Sequence, residues 1–240
     1  MWREESYLWS TASGHRELES PRFFHLLLTS ATIPASLGSY LSTNHPTLTR
    51  LASPNLHHLP PSLKTEHHSW TSGNKNADVE KRIKRVWVED ASSRTKSKSK
   101  ILIFCNKSSK VDGLGLYLTE KGITNVALTS SGQARHRGSN RHLAGFLKTA
   151  EAPFPTSSSS SSDPHVMITT SLLSRGLDFS PRIKHVFIVD EPRNMIDFLH
   201  RAGRSGRAGH EGKVVVFGRM KGRDAGKARE VKRRVGALGH

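Results

Sequence analysis

Six short apolar runs punctuate the chain: HLLLTS (25–30), KILIFCN (100–106), TNVALTS (124–130), HVMITTS (165–171), KHVFIVD (184–190) and KVVVFG (213–218). Most are continuous rather than alternating, the pattern of strands covered on both faces. Between them, residues 78–91, 108–121 and 137–149 space their apolar positions three and four apart, as Val111, Leu114 and Leu118 do, which predicts helices. Strand and helix in repeated succession predict an α/β fold, a parallel sheet flanked by crossover helices.

Some stretches break the pattern. Residues 42–63 hold four prolines and few periodic apolar positions, the mark of a linker. SRTKSKSK (93–100) reads as a basic polar loop, and APFPTSSSSSSDP (152–164) as a low-complexity surface insertion. From Arg219 onward the chain is dense in Lys and Arg; a solvated basic helix or an auxiliary phosphate contact is expected there. One strand and one short helix before the linker are too little for a sheet, so this part is expected to be the end of a domain that begins elsewhere. The expected division is 1–22, an atypical segment; 23–51, a domain remnant; 52–63, linker; 64–218, the main domain; and 219–240, a basic tail.

Composition narrows the partners. A formal charge of +17 predicts a polyanion, and nucleic acid fits better than lipid. No apolar run approaches the ~20 residues of a membrane span, so no membrane partner is expected. Hydrophobic residues make up 35%, a low share that agrees with long solvated segments. Cys105 is the single cysteine, which rules out an internal disulfide frame or a cysteine zinc cluster and suits a reducing intracellular compartment. The first twenty residues carry Glu4, Glu5, Glu17 and Glu19 and no apolar core, unlike a secretory or transit leader.

Chemistry-bearing residues gather after the runs. LLLTSATIP places Ser30 and Thr32 at the carboxyl end of an expected strand, the edge where open α/β sheets bind ligands. On Ser30, Ala31 and Thr32 alone, an ordinary Ser/Thr strand exit ahead of a helix is the favoured reading. TTSLLSRGLD (169–178) follows another strand; its Thr hydroxyls suit phosphates and Asp178 a ribose hydroxyl, against a plain turn with a capping Asp. KHVFIVDEP imitates a Walker B strand, but no G-x-x-x-x-G-K-[ST] loop accompanies it, and Asp190 is read as a strand end. DFLHRAGRSGRAG (197–209), if helical, aligns Arg201, Arg204 and Arg207 along one stripe suited to bidentate phosphate contacts. A nonspecific basic surface is the alternative.

In this order and spacing the segments resemble a DEAD-box RNA helicase of superfamily 2. SAT (30–32) is similar to its motif III, 101–118 to motif IV, TTSLLSRGLD to motif V and HRAGRSGR (200–207) to motif VI. The resemblance covers about 23–218. Within the family it is nearest to fungal mitochondrial members that assemble the large mitochondrial ribosomal subunit. It implies a RecA-like fold, the helicase C-terminal lobe, with ATP and Mg²⁺ as cofactors and RNA, expected to be ribosomal, as partner. Arg204 and Arg207 match arginine fingers for the γ-phosphate, and His200 the residue coupling motif VI to the other lobe. Asp178 matches a ribose contact, Thr170 and Gly176 match RNA-backbone contacts, and Ser30 and Thr32 match interlobe coupling. Arg201 is expected to be structural.

The chain also departs from the pattern. Thr170-Ser171 replaces the usual Thr-Asp, and the Gln-x-x-Arg element falls on His136 and Ser139, with Arg135 or Arg137 as substitutes. The Walker A loop and Asp-Glu-Ala-Asp of the first lobe do not occur, so a truncated product inactive in isolation is expected, monomeric and mitochondrial by resemblance. The competing readings are a non-enzymatic RNA-binding remnant or trans-acting lobe, and a DNA-directed enzyme of the same superfamily.

Overall fold

The runs KILIFC, VMITT and IKHVFI are buried along nearly their whole length, because each forms a central strand with packing on both faces. The computed structural model describes residues 27–29, 33, 35–51, 59–71, 73–93, 98–129, 143, 145–148, 164–174, 176–206, 209–218 and 233. The chain divides into two units, Met1–Arg50 and Leu51–His240. In the first, α1 (Ala35–Asn44) has no buried residue. In the second, the elements in order are β1 (Leu63–Ser69), α2 (Lys75–Ala91), β2 (Lys100–Cys105), α3 (Ser108–Glu120), β3 (Asn125–Ala127), β4 (Val166–Thr170), β5 (Ile183–Ile188), α4 (Met195–Ala202) and β6 (Gly212–Gly218).

The six strands form one sheet in the order β1-β6-β5-β2-β4-β3. Every pairing is parallel. Alternate residues of one strand feed two cores. Leu102 and Phe104 join Met167, Val186, Phe198 and Val214 on the α4 side. Ile101, Ile103 and Cys105 join α2 and α3 through Val79, Ile83, Val111 and Leu114. This is the RecA-like parallel sheet with flanking helices that the sequence implied.

Three expectations need correction. The apolar run at 25–30 was expected to be a buried strand, yet Leu27–Thr29 form none, and Leu27 and Leu28 are 85% and 53% exposed. A strand needs a neighbour for its backbone groups, and among the described residues Leu27–Thr29 pair with none. The helix expected over 137–149 is a single turn in its described part, where the Phe146 and Leu147 amides both bond the Leu143 carbonyl. Leu147 then bridges Phe179, because Phe146 and Phe179 bury themselves in the α4-side core at the point where a helix would have continued. Strand β1 was missed altogether. LKTEHHS has one apolar residue because it is an edge strand, buried only at Leu63, half-covered at Thr65, His67 and His68 and exposed at Lys64, Glu66 and Ser69.

Charge fastens this edge. Arg82 of α2, 6% exposed, reaches Glu66 of β1 at 2.5 Å and Glu89 at 3.7 Å, and Lys213 of β6 reaches Glu66 at 2.7 Å. Burial raises the Glu66 carboxyl, but Lys213 and Arg82 together hold it below its ordinary value. Truncating Leu102, fully buried at the centre of the sheet, is expected to cost about 2–5 kcal/mol through lost burial and a residual cavity. Urea denaturation of Leu102→Ala measures it, and a cost below about 1 kcal/mol contradicts this packing.

Candidate functional site

The carboxyl ends of β2 and β4 and the amino ends of α3 and α4 enclose a crevice of about 410 Å³. Its polar lining comes from Asn106, Ser108, Thr170, Ser171, Arg193, Asn194, Asp197 and Arg201. Parallel strands deliver their following loops to one edge, so residues far apart in sequence meet there.

Arg201 organises this wall. It is 2% exposed, the largest fully buried side chain among the described residues. Its Nε donates to Ser171 Oγ at 2.8 Å, and its Nη2 donates to Asp197 Oδ2 at 2.6 Å and Asn106 Oδ1 at 2.7 Å. Nη1 donates to the Asp190 carbonyl at 3.2 Å. One guanidinium therefore ties the exits of β2, β4 and β5 to α4, which its planar fork of five donors allows and an ammonium would not. Ser171 Oγ in turn donates to Asp197 Oδ1 at 2.8 Å. The departure from Thr-Asp thus has a local remedy: the carboxylate comes from α4, with the serine hydroxyl as intermediary.

Asp197 is held for this task. Asn194 caps α4 by accepting from the Asp197 amide at 2.8 Å, and the Arg193 amide donates to Asp197 Oδ2 at 3.0 Å. Burial alone would raise the Asp197 carboxyl; the Arg193 amide, the Arg201 guanidinium and the Ser171 hydroxyl outweigh it and hold the pKa below 3.8. Asp190 ends its strand as expected, accepting from the Asn106 amide at 2.9 Å and from the Lys110 ammonium.

The sequence-derived residues fall into separate groups. Thr170 lines the crevice, and its hydroxyl accepts weakly from the Leu173 amide at 3.4 Å. Gly176 is exposed in a turn at φ +73°, a conformation that glycine adopts without strain. Asp178 is exposed, and Arg204 lies beside it: Arg204 Nη1 donates to the Leu177 carbonyl at 3.2 Å, and its guanidinium stands 5.5 Å from the Phe179 ring. His200 is exposed on α4. Ser30, Thr32 and Arg207 lie outside the described residues, as do His136, Ser139, Arg135 and Arg137.

The expected stripe of three arginines on one helix is overturned. Helix α4 ends at Ala202 with Gly203 as its cap, so Arg201 faces the core from the helix while Arg204 lies past its end. The turn that follows must fit a tight space. Gly206 has φ +70°, and a Cβ there would meet Leu63 at 3.0 Å; a Cβ on Gly212 would sit 2.5 Å from the Gly206 nitrogen. Asn106, Ser108, Arg193 and Asn194 were not singled out from sequence. Their signal was position, immediately after a strand or before a helix.

Cys105 also lines the crevice but is 1% exposed, and burial, with Asp190 nearby, pushes its thiol up to about 12. It is expected to resist a thiol reagent such as dithiobis-nitrobenzoate in the native protein and to react once urea unfolds it; rapid native labelling contradicts this burial. Asp197→Asn tests the arginine cluster. A carboxyl with a lowered folded pKa contributes stability above its ordinary value and loses it as pH falls through the folded one. The stability gap between the two proteins is therefore expected to be widest at pH 7 and to close below pH 3.8. Urea midpoints at pH 7, 4.5 and 3 measure it, and a gap unchanged down to pH 3 refutes the assignment.

Comparison with known proteins gives concordant results. The family described as helicase conserved C-terminal domain matches residues 81–209. The mitochondrial ATP-dependent RNA helicase MRH4 of Cryptococcus neoformans is 38% identical over 232 residues, covering 81% of this chain and 42% of that protein. The probable ATP-dependent RNA helicase DDX28 of Mus musculus is 31% identical, covering 86% of this chain and 36% of that protein. The chain thus spans less than half the length of these curated relatives. Among solved structures, Dbp5 of S. cerevisiae bound to RNA and ADP BeF3 superimposes with a TM-score of 0.62 at 19% identity, over 88% of this chain and 48% of that one.

Proposed function

We propose that this chain, which belongs to the helicase conserved C-terminal domain family, serves a DEAD-box ATP-dependent RNA helicase of superfamily 2 as its RNA-gripping C-terminal lobe. In this reading residues 64–218 are that lobe, 23–51 the end of the first lobe, 52–63 their connection, 1–22 an atypical N-terminal segment and 219–240 a basic tail. The observation that carries the proposal is the crevice at the carboxyl edge. It offers hydroxyls from Ser108 and Thr170, amides from Asn106 and Asn194, and the exposed Arg193, donors suited to phosphate oxygens and ribose hydroxyls. The guanidinium behind them is already neutralised by Asp197, so it shapes the wall and leaves the contact to its neighbours.

The nucleotide would meet a different part of the lobe. ATP with Mg²⁺ supplies the phosphoanhydride and its charge; Asp178 would accept from the ribose, while Arg204 and Arg207 would stabilise the γ-phosphate. The neighbourhood of Asp178 and Arg204 around Leu177 fits that pairing. His200, Ser30 and Thr32 would couple this lobe to the one carrying the phosphate loop. The mitochondrial names of the relatives agree with the location that the resemblance implies, and ribosomal RNA during ribosome assembly is the proposed target, bound by a monomer.

The test is RNA binding and ATP turnover by the purified chain. Salt-sensitive RNA binding, weakened several-fold in Thr170→Val, with negligible ATP turnover, is the expected result. Turnover is expected only when a first lobe is supplied in trans, and Arg204→Ala is expected to lower it by about 10³ or more. RNA-stimulated turnover by the chain alone overturns the division of labour. RNA binding with no turnover in any combination makes the chain a non-enzymatic RNA-binding module, and a preference for DNA over RNA of one sequence overturns the substrate.

A further inference from the structure

The opposite edge of the sheet, where the strands begin, has its own concentration of charge. Lys98 precedes β2, and Arg182 and Lys184 flank the start of β5; all three are exposed. Strands β2 and β5 are neighbours with Lys100 beside Ile183, so the segments carrying Lys98 and Arg182 enter the sheet at the same edge on adjacent strands. Lys98 is held 5.0 Å from the centre of the Trp87 ring, the indole Nε1 donates to the Ser99 carbonyl at 3.2 Å, and His165 meets the same ring edge-on at 6.3 Å. Trp87 itself remains partly exposed.

The acids near this edge are largely committed elsewhere. Glu89 is engaged by Arg82, Arg85 and Lys213. Asp90 accepts the amide and hydroxyl of Ser99 at 2.7 and 2.8 Å. Glu211, before β6, is exposed. Among the described residues no carboxylate lies within ion-pair distance of Lys98, Arg182 or Lys184. Lys98 against a partly open indole, with the exposed Arg182 and Lys184 at the start of the neighbouring strand, forms a combination that can track a nucleic-acid strand by charge and stacking.

We propose that this amino edge, centred on Lys98, Arg182, Lys184 and Trp87, is a second RNA-backbone contact, distinct from the crevice at the carboxyl edge. It rests on the reading of the chain as an RNA-binding lobe and extends it: a strand long enough to leave the crevice is met again on the far side of the sheet. Its contribution is electrostatic and independent of base sequence.

The test compares the chain with Lys98→Gln/Arg182→Gln/Lys184→Gln, using a single-stranded RNA of about 30 nucleotides and a control, Lys64→Gln/Lys75→Gln/Lys81→Gln, that removes the same charge from β1 and α2. Thermal unfolding verifies that both variants fold. The edge variant is expected to lower affinity about tenfold or more. It is also expected to flatten the plot of log affinity against log salt by about two, at ~0.7 for each phosphate no longer neutralised, with a much smaller change in the control. Amine acetylation read by mass spectrometry gives a second measure: bound RNA is expected to protect Lys98 and Lys184 but not Lys81. Equal effects in edge and control variants, or protection by anionic phospholipid vesicles and not by RNA, overturn this inference and leave the function intact. A parent chain that binds no RNA at all overturns the function itself.

Discussion

A single buried guanidinium sets the geometry of the carboxyl edge. Arg201 has almost no contact with water, and a cation so placed is tolerated only because a carboxylate, a hydroxyl, an amide oxygen and a backbone carbonyl receive its protons. Each acceptor comes from a different exit of the sheet or from α4. None can drift without uncovering a charge in a medium that penalises it, so the exits of β2, β4 and β5 are fixed relative to one another before any ligand arrives. In the proposed function that preparation would serve an RNA strand, whose phosphates and hydroxyls reward donors already held in place.

The two faces of the sheet divide the remaining work. The α2 and α3 side is mainly apolar ballast, with the Glu66–Arg82–Lys213 group securing the outer strand. The α4 side carries the turn from Gly203 to Gly206, which brings Arg204 close to Phe179 and the neighbourhood of Asp178. Its glycines serve packing more than ligand access: Gly206 supplies a left-handed backbone against Leu63, and Gly212 admits the turn itself. The spacing that looked like a phosphate comb in the sequence is therefore two devices, a buried clamp at Arg201 and a half-exposed guanidinium at Arg204.

How much of this was legible follows from what sequence patterns encode. Continuous runs such as KILIFC and VMITT announce burial on both faces, and their strands lie where the pattern put them. LKTEHHS was invisible because an edge strand needs few apolar residues; its place comes from pairing with β6, which no local pattern records. The run at 25–30 failed in the reverse sense: its described part, Leu27–Thr29, forms no strand. Of the crevice lining, the type and order of residues flagged Thr170, while Asp178, His200 and Arg204, flagged with it, are not part of that lining. The bridging of Ser171 to Asp197 was not legible, since it depends on the curl of a loop and the cap of a helix meeting in space.

Strand β1 has a partner only in β6, and the two lie at opposite ends of the second unit. A chain emerging from the ribosome amino end first would present β1 early and complete its mate last. Through that interval its backbone donors and acceptors have only water or a foreign strand to bond. The lone apolar side chain of LKTEHHS, and the exposed charges of Lys64 and Glu66, then take on a second meaning. They are what keeps a waiting strand soluble until the final run of valines arrives to claim it.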